Sequence, residues 1–279
     1  MDNKENCCPA PKLVLDIDAI LRGRMGEKGK FLPRMLTRGL ERLIHQEELN
    51  AVLDAVYPRE GSAFAAKVYD YFELTLDVEG EENIPAEGRF IFASNHPLGG
   101  LDGIGLISVL GRKYGDRNIR FLVNDILLNI TPLRNVFLPI NKYGSQGRAA
   151  AKAIAEAYAS DAQIIIFPAG LVSRLHPDGK IRDLQWQKSF VQKAVEYQRD
   201  IIPVRFEGLN SMRFYKTARL RKRLGIKINI EQAMLPGELC KARGKKFGIR
   251  FGRPVSWQSI AERLAAGESP AFIAEQLKV

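Results

Sequence analysis

From Pro85 onward the chain alternates between short apolar runs of strand length and longer stretches with helical spacing, a pattern that few folds can accept. Strands are predicted at 90–94, 119–123, 136–140, 163–167, 201–206, 226–231 and 247–251, and helices at 103–113, 147–159, 187–198, 256–265 and 269–277. The run Ile164-Ile165-Ile166-Phe167 suits a strand buried on both faces. Alternation of this kind predicts an α/β fold, with a mixed, largely parallel sheet flanked by helices. In such sheets sites gather at the carboxyl ends of the strands.

Two strand ends carry distinctive chemistry. Phe90–Ser94 leads into Asn95-His96-Pro97-Leu98-Gly99-Gly100-Leu101-Asp102, so a Pro and two Gly bend the chain between a His and an Asp. The chain holds three His, at 45, 96 and 176. An imidazole titrates near ~6.5 and suits proton transfer at neutral pH, and an Asp within reach fixes its tautomer. The plainer reading makes Asp102 the N-cap of the following helix and His96 a turn residue. The second end, Phe167-Pro168-Ala169-Gly170, opens a loop bearing Ser173, Arg174, His176 and Lys180. Gly lets a backbone approach a ligand closely and Arg offers a fork of donors to phosphate or carboxylate, although an ordinary loop with solvated charges has the same look.

Upstream, residues 1–12 read as a frayed tail, 13–72 as mostly helical and 73–79 as a half-buried strand. This divides the chain into an N-terminal helical region, 1–80, packed on or leading to a larger α/β domain, 81–279. Leu36, Leu40, Leu43 and Ile44 share one helical face, as do Leu49, Leu53 and Val56, and such stripes are read as core. The alternative for the first stripe is an amphipathic segment from Phe31, interleaved with Arg34, Arg38 and Arg42, that lies on a bilayer.

Composition bears on partners. A chain of 279 residues with a net charge of +10 favours nucleic acid, an anionic membrane surface or an acidic protein. Arg213, Lys216, Arg219, Arg221, Lys222 and Arg223 form one basic run; Lys241, Arg243, Lys245, Lys246, Arg250 and Arg253 form another. Near an anionic surface each such side chain is worth ~1 kcal/mol. No apolar run reaches the ~18 residues of a membrane span, and Met1–Asn6 lacks the apolar core of a secretion signal. Cys7, Cys8 and Cys240 have neither zinc nor disulfide-framework spacing, which favours a reducing compartment.

Asn95-His96…Asp102, Phe167-Pro168-x-Gly170 and Ile202-Pro203-Val204, taken in order over residues 80–254, resemble the glycerolipid acyltransferases that acylate lysophosphatidic acid. There are three departures. Asp102 lies six positions after His96 where the family has five. Lys142, in Leu138-Pro139-Ile140-Asn141-Lys142, stands near the place of a family Arg. Ala169 replaces the Glu of Phe-Pro-Glu-Gly, with Arg174 arriving later. The Asn-His-Pro-Leu-Gly-Gly run and Phe167-Pro168-Ala169-Gly170-x-x-Ser173-Arg174 are most similar to a divergent bacterial branch, the O-acyltransferases of glycine and ornithine aminolipid synthesis.

That resemblance implies a glycerolipid acyltransferase-like fold and an O-acyltransferase that moves a fatty acyl chain from a thioester to the hydroxyl of a lyso-aminolipid. His96 would be general base and Asp102 its orienting partner, with Asn95, Lys142, Phe167, Pro168, Ala169, Gly170, Ser173 and Arg174 binding substrate. Asn95 would also buttress the His loop, and backbone N–H groups of the Gly-rich turn would hold the oxyanion. No metal and no cofactor is implied, only acyl carrier protein or coenzyme A as carrier of the acyl group. The implied setting is cytoplasmic, peripheral on the anionic inner face of the membrane, with no nucleic acid partner. The rivals are ordinary lysophosphatidic acid acylation and a basic membrane- or RNA-binding module without catalysis.

Overall fold

The computed structural model describes residues 12–140, 147–227 and 229–278; Lys142, Cys7 and Cys8 lie outside them. Among these residues the chain opens with helices α1 (Ile17–Met25), α2 (Arg34–Leu43), α3 (Gln46–Val56) and α4 (Gly61–Tyr71), then strand β1 (Thr75–Glu79). The predicted alternation follows as β2 (Phe90–Ser94), α5 (Leu101–Tyr114), β3 (Ile119–Asn124), β4 (Phe137–Ile140), α6 (Arg148–Ala159) and β5 (Gln163–Ile166). A short hairpin of β6 (Arg174–Leu175) and β7 (Ile181–Arg182) precedes α7 (Ser189–Glu196) and β8 (Asp200–Phe206). Then come α8 (Met212–Arg223), α9 (Leu235–Cys240), β9 (Lys246–Phe251), α10 (Trp257–Ala265) and α11 (Pro270–Gln276).

The main sheet has the order β1-β9-β8-β2-β5-β3-β4. The five strands from β8 to β4 run parallel, and β9 turns against β8 and carries β1 alongside it. The sheet is therefore mixed and largely parallel, as the alternation predicted. β2, at its centre, is buried at all five positions. Its pleat sends Phe90 and Phe92 into a layer with α3, α4 and α5, and Ile91 and Ala93 into a layer with α6, α7, α10 and α11. Two apolar faces on one strand explain why its sequence shows no polar alternation.

β1 pairs in register with β9 from Thr75↔Lys246 to Glu79↔Arg250, and α3 and α4 share the sheet's core. Two expectations change. No strand forms among the described residues of 226–231; a 3-10 turn spans Ile230–Met234, with Glu231 buried between Arg174 and Arg221. Leu36 and Leu43 are exposed rather than core: α2 turns Thr37 inward and leaves Met35, Leu36 and Leu43 facing out.

One buried charge holds the amino-terminal edge of the sheet. Arg199 is fully buried just before β8 and has no acidic partner within ion-pair distance among the described residues. Its guanidinium instead donates to the carbonyls of Tyr158 at 2.8 Å, Ala162 at 2.8 Å and Ala157 at 3.2 Å, and to that of Ser160. These lie at or just beyond the carboxyl end of α6, where the helix dipole favours a cation. Burial, with Arg89 adding to it, brings its pKa down to about 10, so it stays charged at neutral pH. Arg199→Met is expected to cost about 3 kcal/mol or more, because it strands several buried carbonyls at once. A urea midpoint at pH 7 checks this; a loss under about 1 kcal/mol would show that water replaces the guanidinium.

Candidate active site

The parallel strands β8, β2, β5 and β3 deliver their carboxyl ends to the same edge of the sheet, and Asn95, His96, Asp102 and Phe167 come together there. Asn95 extends the ladder beyond β2. Its carboxamide donates to the Phe206 carbonyl at 2.9 Å and accepts from the Phe206 N–H at 2.6 Å, which fixes the direction in which the chain leaves the sheet. His96 follows at once.

The turn that comes next wraps around one carboxylate. Asp102, in the first turn of α5, is fully buried. Its Oδ2 lies 2.9 Å from His96 Nδ1 and accepts from the N–H groups of Leu98 at 2.9 Å and Gly99 at 3.1 Å. Its Oδ1 accepts from the N–H of Gly103 at 2.9 Å. Asp102 thus does more than cap a helix. Burial alone would raise its pKa, but the charge and hydrogen bond of His96 and the two turn N–H groups outweigh that and hold it below the ordinary carboxylate value. The additional residue between His96 and Asp102 is absorbed at Gly99, which has φ +81°; a Cβ there would stand 2.6 Å from Val172.

The ring of His96 lies on that of Phe167, centroids 3.9 Å apart and planes 17° from parallel, and Phe121 meets Phe167 edge-on at 5.3 Å. Phe167 is therefore a platform for the imidazole. With Nδ1 on Asp102 and one face on Phe167, Nε2 has no protein hydrogen-bond partner among the described residues, and the side chain keeps 16% of its surface exposed. An imidazole held this way, Nδ1–H on a carboxylate and Nε2 open, can take a proton from a hydroxyl and return it.

Other candidates sit elsewhere than the sequence reading placed them. Ala169 is packed in the α6–α7 layer, and Pro168, also buried, accepts from the N–H of Gln187 at 3.0 Å. Gly170 forms the tight turn after β5 with φ +64°. Ser173 donates to Asp183 at 2.5 Å. Arg174 points to Glu231 at 2.9 Å, while Arg221 lies 2.8 Å from the other oxygen of that fully buried carboxylate. Two of the backbone N–H groups expected to serve an oxyanion, those of Leu98 and Gly99, face Asp102 instead. His45 and His176 are bound locally, to Glu48 and to the Arg182 carbonyl, and take no part.

Several supporting residues escaped the sequence reading. Asn210 donates to the carbonyls of Pro97 at 3.2 Å and Leu98 at 3.3 Å, and the Tyr69 hydroxyl donates to the Leu101 carbonyl at 2.8 Å. Burial, reinforced by the charge of Asp102, pushes the Tyr69 pKa up and keeps it a donor. Asp183 was hidden in a loop that reads as solvated. The available signal was Pro177-Asp178-Gly179, a turn sequence that predicts a hairpin and so places residue 173 beside 183.

The histidine is thus held on a buried carboxylate at the carboxyl end of a central parallel strand. The Acyltransferase family model matches residues 20–276, and the chain belongs to that family of acyltransferases. It is 41% identical over 260 residues to a lyso-glycine lipid O-acyltransferase of Phocaeicola vulgatus, covering 93% of this chain and 92% of that protein. It is 40% identical over 265 residues to a lyso-glycine lipid O-acyltransferase of Bacteroides thetaiotaomicron, covering 95% of each. The solved 1-acyl-sn-glycerophosphate (LPA) acyltransferase of Thermotoga maritima is 17% identical, with 93% of this chain and 88% of that chain covered at a TM-score of 0.46.

The lowered pKa of Asp102 has a consequence for stability. Below its unfolded value near ~3.9 the unfolded chain binds a proton that the folded chain refuses, so this contribution is whole at neutral pH and lost as pH falls through the lowered folded value. Asp102→Asn removes that term. Its urea midpoint is expected to fall less steeply than that of the wild type as pH is lowered from 5 towards 3. Parallel acid limbs in the two proteins would contradict it.

Proposed function

We propose that this enzyme transfers a fatty acyl group from a thioester to the hydroxyl of a lyso-aminolipid, a lyso-glycine lipid in the first instance. The observation that carries the chemistry is the His96–Asp102 pair with Nε2 open. The two relatives of 41% and 40% identity, both named for a lyso-glycine lipid acceptor, support the choice of acceptor.

In this reading Nε2 of His96 takes the proton of the acceptor hydroxyl as its oxygen attacks the thioester carbonyl. Asp102 stabilises the imidazolium that forms. The tetrahedral intermediate collapses, the carbon–sulfur bond breaks, and the imidazolium returns its proton to the departing thiolate. The products are an ester and a free thiol, with no acyl-enzyme and no metal in the sequence of steps. Acyl carrier protein or coenzyme A carries the acyl group. Acylation of lysophosphatidic acid is disfavoured, because Arg174, the residue best suited to grip a phosphate, is held by Glu231, and Ala169 lies in the core.

The enzyme works from the anionic inner face of the cytoplasmic membrane as a peripheral protein. No helix among the described residues is long and apolar enough to cross a bilayer. Instead Phe31, Met35 and Leu36 stand 85%, 86% and 61% exposed with Arg38 and Arg42 beside them, and α8 turns Arg213, Lys216, Arg219, Leu220 and Arg223 outward. The turn Ile230–Met234 touches both α2 and α8, so the two faces are neighbours. Neither 28–40 nor 209–230 contains an acidic residue. Apolar side chains set among unopposed cations fit the headgroup boundary of an anionic bilayer.

His96→Ala is expected to lower kcat for lyso-glycine lipid acylation by about 100- to 10,000-fold, the usual worth of a positioned base, with circular dichroism unchanged. Full activity in the folded variant would end the base assignment. Product from lysophosphatidic acid in place of the aminolipid would keep the chemistry and replace the acceptor. Salt-sensitive RNA binding without any transfer would favour the non-catalytic alternative. A separate prediction concerns the membrane: replacing Phe31, Met35 and Leu36 by Ser should weaken sedimentation with phosphatidylglycerol vesicles by at least ~10-fold, since burying one such side chain is worth about 1.5–3 kcal/mol. Turnover of detergent-dispersed acceptor should be retained. Unchanged sedimentation would place the docking surface elsewhere.

A further inference from the structure

We infer that Asp183, with Ser173, is the positioning device that sets the backbone of His96 and so aims its imidazole at Asp102 and the acceptor. The inference rests on the acyl transfer reading above. It assigns a role to a residue that lies outside every motif of the sequence.

Its basis is the treatment of one peptide unit. The N–H of His96 lies 3.2 Å from both oxygens of Asp183. The carbonyl of His96 accepts from the N–H of Ser173 at 2.8 Å. The Ser173 hydroxyl closes the ring of contacts by donating to Asp183 at 2.5 Å. Both backbone polar groups of the histidine are thereby held by residues ten positions apart in the chain. The hairpin accounts for that separation: Leu175 pairs with Ile181 and Arg174 with Arg182, and one position further out stand Ser173 and Asp183.

The anchor is rigid. Asp183 is buried, and its second oxygen accepts from the indole N–H of Trp186 at 3.0 Å. Trp186 is itself buried against Phe190, and its backbone N–H donates to Glu275 of α11 at 2.7 Å. From the far side, Arg174 ties the hairpin to Glu231 and lies over the Phe214 ring at 5.5 Å. Asp183 has no cationic partner within ion-pair distance among the described residues. Its contacts are His96, Ser173 and Trp186, a donor set directed at the histidine rather than a surface ion pair.

Geometry makes the consequence specific. The imidazole is fixed at Nδ1 by Asp102 and on one face by Phe167, but both contacts presuppose the correct backbone angles at residue 96. A carboxylate is an acceptor at every lone pair, so it satisfies these three donors together; an amide in its place turns an NH₂ against at least one of them. The histidine peptide then shifts, and a reacting group misplaced by about 1 Å costs on the order of 100-fold.

The test uses the full-length chain as wild type, Asp183→Asn, Ser173→Ala, Asp102→Asn and the Asp183→Asn/Asp102→Asn double variant. Asp183→Asn is expected to lower kcat by about 10- to 100-fold while KM for acceptor and thioester stays within about twofold. On the Asp102→Asn background the same substitution is expected to cost less than about threefold more, because both act through the aim of one imidazole. Imidazole signals of ¹⁵N-histidine-labelled protein, with His96 assigned by their loss in His96→Gln, should show the Nδ1–H resonance displaced in Asp183→Asn. Unaltered kcat in folded Asp183→Asn, or fully multiplicative losses in the double variant, would overturn the inference. If the wild type transfers no acyl group, the reading of the reaction has failed, and the imidazole signals alone then decide whether Asp183 sets the histidine. If Asp183→Asn does not fold, Ser173→Ala decides, with an expected loss in kcat of about 3- to 10-fold and a displaced Nδ1–H signal; the absence of both would overturn the inference.

Discussion

Asp102 sits where water does not reach it, and a carboxylate there is tolerable only when donors surround it. The turn between β2 and α5 is shaped to that requirement. Leu98 and Gly99 direct their N–H groups inward, Gly103 adds an N–H from the first turn of the helix, and His96 Nδ1 completes the set. If the carboxylate were lost, the turn would keep its length but not the reason for its path. The same bonds that stabilise the ion also present the imidazole, so stability and chemistry draw on one arrangement. Gly99 is the local cost: its left-handed backbone and its closeness to Val172 exclude any side chain.

That turn can be trusted to stay in place because of the strand beneath it. β2 is covered on both faces and hydrogen-bonded on both sides, to β5 and to β8. Asn95 continues the pairing one residue past the regular ladder by gripping Phe206. Phe167 arrives from the end of β5 to lie under the imidazole. Gly103 has a part in this: a Cβ at that position would come within 2.9 Å of Phe121, which abuts the same platform, so the first turn of α5 can settle onto it only as glycine. Three neighbouring strands therefore contribute to the position of one ring, which is what a parallel sheet offers at its carboxyl edge.

Charge is handled in two ways. Inside, Glu231 is enclosed by Arg174 and Arg221, and Arg199 is dispersed over backbone carbonyls. Outside, the exposed arginines and lysines of α8 have no ion pair among the described residues and stand near the apolar outer face of α2. A basic run in the sequence thus contains both kinds. Arg221 turns inward to Glu231 while Arg219 and Arg223, two positions to either side, face solvent. Helical periodicity separates them, and only the packing of Phe214, Tyr215 and Ala218 shows which side is in.

The α/β class, the central strand and the His96–Asp102 pair were determined by the sequence alone, because each rests on local information: a two-faced apolar run, turn residues at fixed offsets, and a short separation between acid and imidazole. The acyltransferase class was legible through a family resemblance, carried by the Asn95-His96…Asp102, Phe167-Pro168-x-Gly170 and Ile202-Pro203-Val204 blocks taken in order. What lay beyond local information was decided by tertiary structure. Arg174 looked like an anion grip until Glu231, 57 residues on, was found holding it. Leu36 and Leu43 had the spacing of a core stripe, yet the inward position went to Thr37. Asp183 reached the histidine 87 residues before it only because a hairpin folded back over the strand end. Periodicity says that a helix has an apolar face and a hairpin has a partner; which surface lies opposite is a property of the assembled fold, since burial and ion pairing are set by neighbours that the chain brings from far away.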